Sequence, residues 1–116
     1  MAVSNVSKLR WQRDAHRALG QLLQVNGLPV ITWTIPVSGA LVGDIDSLTS
    51  TPAEQRAAFD AWARQLNAEV VPERPDRDGV VHLYAKFRID EGYGVGGAIR
   101  ATIYPPTDDE AGESSG

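Results

Sequence analysis

Two stretches of the chain repeat apolar residues at helical spacing, and two others alternate them with polar ones. Trp11, Ala15, Ala18, Leu22 and Val25 fall on one stripe, widened by Leu19 and Leu23, which predicts a first helix over Ser7 to Val25. Asn26-Gly27 offers a left-handed stop, and Pro29 bars continuation. A second helix is expected at Thr51, which can cap it, with Pro52 in the first turn and Glu54 closing a capping box. Phe59, Trp62, Leu66 and Val70 form its stripe, backed by Ala58 and Ala63, and it should end before Pro72. On its polar side Arg56, Asp60 and Arg64 lie four apart, with Asp60 and Arg64 in the favourable order for an ion pair.

Each helix precedes a predicted hairpin. Val30 to Ile35 alternates threonine with Ile31, Trp33 and Ile35, and Pro36-Val37-Ser38-Gly39 reads as a turn. Leu41, Gly43 and Ile45 then point inward, leaving Asp44 and Asp46 outward. In the second hairpin Val81, Leu83, Ala85, Phe87 and Ile89 face one way, while Val80, His82, Tyr84, Lys86 and Arg88 face the other. A glycine-rich turn over residues 90–97 leads to Ile99, Ala101 and Ile103 inward and Arg100, Thr102 and Tyr104 outward. The expected fold is α+β, a two-layer sandwich in the order α-β-β-α-β-β, with a four-stranded antiparallel sheet and both helices on one face. Residues 1–104 make one domain, in which 7–46 and 51–104 have the look of one helix–hairpin unit used twice. Short matches such as Gln12-Arg13 with Gln55-Arg56 support that duplication only weakly.

Composition narrows the class. A chain of 116 residues with 42% hydrophobic and 22% charged side chains suits one globular domain. Without cysteine there is no disulfide, thiolate zinc site, iron–sulfur cluster or thiol nucleophile. The first ten residues lack the apolar core of a signal peptide, and no run approaches the roughly 20 apolar residues of a membrane helix. A cytoplasmic protein without membrane contact is therefore expected. Nine arginines against two lysines, with abundant alanine, fit a GC-rich bacterial genome.

The net charge of −4 mildly disfavours non-specific nucleic-acid binding. Its distribution is uneven, because Asp108, Asp109, Glu110 and Glu113 crowd a tail, 105–116, expected to be acidic and disordered. Arg10, Arg13 and Arg17 instead stripe the first helix, near Lys8, with Asp14 placed to pair locally. That stripe is either a solvated face or a dock for phosphates or an acidic partner.

Candidate chemistry is sparse. Gly92-Tyr93-Gly94-Val95-Gly96-Gly97 is flanked by strands and by Asp90 and Glu91, with no lysine at the Walker position. It reads as a hairpin loop in which Gly92, Tyr93 and Gly94 make contacts, not as a phosphate cradle. Asp44 and Asp46 share a strand face but lack a third nearby carboxylate, so no metal site is expected, nor any cofactor. Only His16 and His82 titrate near neutrality, and neither has a serine or acid spaced for nucleophilic catalysis. Trp11, Trp33 and Trp62 lie on apolar stripes and are expected in the core.

The outward set His82, Tyr84, Lys86, Arg88, Arg100, Thr102 and Tyr104 is the strongest candidate, since two helices on one face leave it uncovered. The plainer alternative is a hydrated sheet face whose long side chains cover one another. Interleaved tyrosine and cations also suit protein interfaces, or single strands whose bases stack and whose phosphates meet charge. The expected function is a non-enzymatic interaction module, binding a protein partner or itself as a homodimer through this face. The alternatives are single-stranded nucleic acid on the same face, or a small ligand between helices and sheet.

Overall fold

The computed structural model describes residues 4–90 and 94–105. Gly92, Tyr93 and the acidic tail beyond Pro105 lie outside the described residues. The first helix, α1 (Asn5–Leu22), is capped by Ser4, whose hydroxyl accepts from the Ser7 N–H at 3.2 Å. It ends at Leu22 and not at the expected Val25. There the chain tightens, with Gln24 and Val25 N–H groups reaching back three residues to Gln21 and Leu22 at 3.2 Å. Gly27, at φ 86°, then turns it away, leaving Leu23 and Val25 exposed.

The second helix, α2 (Pro52–Gln65), starts as its sequence predicts. Thr51 N–H donates to Glu54 Oε1 at 2.8 Å, and Glu54 N–H donates to Thr51 Oγ1 at 3.1 Å. Its end comes earlier than Pro72. Asn67 sits in the left-handed region at φ 51°, Ala68 N–H donates to Ala63 O at 2.8 Å, and Asn67 N–H to Arg64 O at 3.2 Å. This satisfies the last carbonyls by a Schellman arrangement that needs only one short polar residue to reverse the backbone. Val70, expected on the helical stripe, is therefore in a strand and exposed.

Six strands follow the chain: β1 (Thr32–Thr34), β2 (Leu41–Asp44), β3 (Glu69–Val70), β4 (Arg74–Pro75), β5 (Val81–Ile89) and β6 (Val95–Ile103). Their order is β1-β2-β6-β5-β3, with β4 also paired to β5. The two hairpins, β1–β2 and β5–β6, are antiparallel as expected. The four-stranded antiparallel sheet is not what forms. β2 lies parallel to β6, Leu41 opposite Gly97 and Asp44 opposite Arg100, so the sheet is mixed and the element order is α-β-β-α-β-β-β-β. A parallel neighbour needs a long crossover, which the segment carrying α2 supplies. Gly97 permits the approach, because a Cβ there would overlap the Leu41 carbonyl oxygen and the Phe87 ring.

One core joins the layers. Leu41, Leu83, Ala85, Phe87, Ile99, Ala101 and Ile103 face the alanines of α1, Ala15 and Ala18, and the α2 residues Ala58, Phe59, Trp62 and Ala63. Alanines let the helices approach closely, and four aromatic rings, Trp33, Phe59, Trp62 and Phe87, fill the remaining space. The Trp33 ring lies 5.2 Å from Trp62 at 79° and 6.4 Å from Phe87 at 86°, both edge-to-face. Trp62 is buried and donates its indole N–H to the Pro29 carbonyl at 2.7 Å. Trp11 departs from the expectation of a core tryptophan, since its side lies along the 36–39 turn at the edge of the helix layer and it is 39% exposed. Gly39 leaves that turn room, for a Cβ there would collide with the Trp11 backbone.

Candidate interaction surface on the open sheet face

Parity along β5 and β6 decides what faces away from the helices. His82 stands opposite Thr102, Tyr84 opposite Arg100, Lys86 opposite Ala98, and Arg88 opposite Gly96. Tyr104, just past the end of β6, is 58% exposed and extends the first of these rows. His82, Tyr84, Arg100, Thr102 and Tyr104 line one hollow of about 450 Å³, to which Asp44 and Ser47 also contribute. Lys86 and Arg88 share the face but lie beyond that hollow, near the glycine-rich end of the hairpin.

The charges on this face are largely matched. Arg100 Nε donates to Asp44 Oδ1 at 2.9 Å and its Nη2 to Asp44 Oδ2 at 3.1 Å, a two-pronged pair. That carboxylate pushes the Arg100 guanidinium above its ordinary range, chiefly through the hydrogen bond. Arg88 Nε donates to Asp90 Oδ1 at 2.9 Å, and its guanidinium lies against Gly94, whose φ is 76°. Both pairs remain substantially solvated, so each contributes little to stability.

His82 closes one end of the hollow. Its Nε2 is 3.6 Å from Asp76 Oδ2, while Asp76 Oδ1 accepts from the N–H groups of Asp78 at 2.9 Å and Val80 at 3.1 Å. The Val80 N–H is the main reason that the Asp76 carboxyl is held below its usual range. Asp76 is thus a turn former before it is a partner for the imidazole. Among the described residues no hydroxyl hydrogen-bonds to His82, so nothing there resembles a nucleophile with its base.

The paired aspartates separate. Asp44 holds Arg100, whereas Asp46 bends the chain after β2, accepting from Leu48 N–H at 2.8 Å, Thr49 N–H at 3.1 Å and the Thr49 hydroxyl. That hydroxyl, and then the Leu48 amide, lower the Asp46 carboxyl. Among the described residues no three His, Asp or Glu side chains gather as a metal would require.

One other surface was legible in the sequence. Arg10, Arg13 and Arg17 are exposed on α1 with Val6 and Leu9 beside them, around a hollow of about 500 Å³. Among the described residues Asp14 pairs with neither Arg10 nor Arg17, and Asp60 does not pair with Arg64; Arg56 instead reaches Glu73 at 2.7 Å. A hollow of about 490 Å³ between α1 and the starts of β2 and β6 includes Arg10, Trp11, Asp14, Ser38 and Gly94. His16 is exposed on α1, remote from the sheet face.

The residue that sequence reasoning missed is Asp44. Its outward parity was visible, but its partner lies 56 positions away on a strand whose adjacency no local pattern encodes. No helix among the described residues is long and apolar enough to cross a membrane. Compared with known proteins, the chain matches no family model, no curated protein and no solved structure.

Proposed function

We propose that the chain is a non-enzymatic interaction module that binds a protein partner on the open sheet face, centred on the hollow between Tyr84, Arg100 and Tyr104. The observation that carries this reading is the pairing of Arg100 with Asp44 in the hollow that Tyr84 and Tyr104 also line. A guanidinium already matched by a carboxylate gives a rigid, polar and nearly neutral platform, and tyrosine and arginine are the residues that protein interfaces favour. Phosphate binding needs unmatched cations, and Arg88 and Arg100 each hold an aspartate. That disfavours the nucleic-acid alternative.

The test uses the full chain as bait for proteins of its host, beside Tyr84→Ala, Tyr104→Ala and their double variant. One partner should be retained by the wild type and weakened about 30-fold or more by the double variant, the effect of losing an aromatic anchor of about 2 kcal/mol. The melting temperatures should stay close together. Retention that ignores both tyrosines would refute the reading. A salt-sensitive shift of short single strands, absent in Lys86→Ala, would replace it with the nucleic-acid one.

A further inference from the structure

The two edges of the sheet differ in kind. On the β5 side the outer segment is Glu69-Val70-Val71-Pro72-Glu73-Arg74-Pro75, and charge and proline are what proteins use to stop another strand from adding there. On the other side stands β1, in a stretch from 18 to 43 without one charged residue. Val30, two residues before it, is 99% exposed.

Ile45 N–H donates to Arg100 O at 2.9 Å, so Ile45, Gly43 and Leu41 aim their backbone groups at β6. Val42 and Asp44 alternate with them and serve β1, where their partners are Thr34 and Thr32. Trp33 therefore points its N–H and C=O away from β2, at the open edge. Among the described residues no group bonds to the Trp33 backbone there, while Ile35 O, next along the same edge, accepts from the Gln12 side chain at 3.3 Å.

The edge is also self-complementary. Ile31-Thr32-Trp33-Thr34-Ile35 reads the same in both directions. We propose that β1 is a dimerisation edge, on which a second copy of the chain adds its own β1 antiparallel about a twofold axis through Trp33. In that register the free N–H and C=O of each Trp33 meet those of the other copy. Thr32 faces Thr34 on the open side, Ile31 faces Ile35 on the helix side, and Val30 comes opposite Pro36. Threonine pairs and β-branched pairs are favourable across antiparallel strands. Because each copy uses the same edge and the opposite edge is blocked, assembly closes at two. The result is one sheet running through both copies, with the open faces side by side.

The palindrome supplies its own test, read as mass by sedimentation of the full chain over a range of concentrations. The wild type should show a concentration-dependent dimer. T32K/T34K sets lysine against lysine twice across the seam and should sediment as monomer while still unfolding cooperatively, because both threonines are exposed in the single chain. T32K/T34E keeps two charges per strand but places each lysine opposite a glutamate of the other copy, and should restore the dimer. A wild type that remains monomeric at its highest soluble concentration overturns the proposal. So does a dimer that T32K/T34K leaves intact, or one that T32K/T34E fails to restore, since another register would oppose like charges. Partner capture through Tyr84 and Tyr104 is a separate readout, and its failure leaves this edge unaffected.

Discussion

Gln55 is the buried polar side chain through which α2 grips the sheet, and its replacement gives a sharp prediction. It is 2% exposed, and its Nε2 donates to the Thr102 carbonyl at 2.9 Å. The Arg100 carbonyl, two residues earlier, is taken by Ile45 N–H where β2 ends, so Thr102 O points past the last residue of that strand. The side-chain amide of Gln55 stands in for the missing strand donor. Gln55→Ala leaves that carbonyl without its partner, at a cost of about 1–3 kcal/mol. With each kcal/mol worth about 4–8 °C in a domain of this size, a loss of about 2 kcal/mol lowers the melting temperature by about 8–16 °C. The control is Gln65→Ala, on the same helix but exposed, expected within about 0.5 kcal/mol of wild type. Gln55→Glu adds a pH signature. Its buried carboxylate would face a carbonyl, raising its folded pKa above the unfolded value, so the variant should recover stability as pH falls through that raised pKa. Thermal melts of the three variants at neutral and acid pH decide the matter. If Gln55→Ala melts with Gln65→Ala, or Gln55→Glu gains nothing in acid relative to wild type, the strand-donor reasoning fails.

Hydrogen-bond satisfaction also distinguishes Trp62 from Trp33. Trp62→Phe strands the Pro29 carbonyl, whereas Trp33→Phe deletes an indole nitrogen that is buried and unpaired. Urea melts should therefore show Trp62→Phe as the more destabilised by about 1 kcal/mol or more, and equal losses would contradict the hydrogen-bond assignment. Acid should weaken the fold through its turn carboxylates. Asp76 is held below its ordinary 3.8 by the Val80 N–H, so the folded state binds that proton less readily than the unfolded chain. Its contribution is present above that value and lost as pH falls through the lowered one. Asp76→Asn should flatten the drop in melting temperature between about pH 5 and about pH 2, and an unchanged slope would count against it.

Much of the candidate face was legible because parity is a local property. Alternation over Val81 to Ile89 and Ile99 to Ile103 was enough to put His82, Tyr84, Arg100 and Thr102 on the side away from the apolar residues. The Thr51–Glu54 capping box was equally local, needing only a four-residue window. Helix ends were less so, because Asn67 and the tightened turn at Leu23 compete with an apolar pattern that continues past both. β3 and β4 were hidden by their shortness and by Pro72 and Pro75, which argue for loop in isolation and for a blunted edge once β5 lies beside them.

By itself, then, the sequence determined the α+β class, the two helices, the two hairpins and which side chains share each face, all of which depend on neighbours a few residues apart. Only the tertiary structure decided that β2 runs parallel to β6. That choice rests on contacts between distant segments: the bare Cα of Gly97 beneath the Leu41 carbonyl, and a crossover long enough to bring β2 alongside. From it follow the Asp44–Arg100 pair, the Gln55 bridge and the exposed β1 edge, none of which a local pattern could reveal.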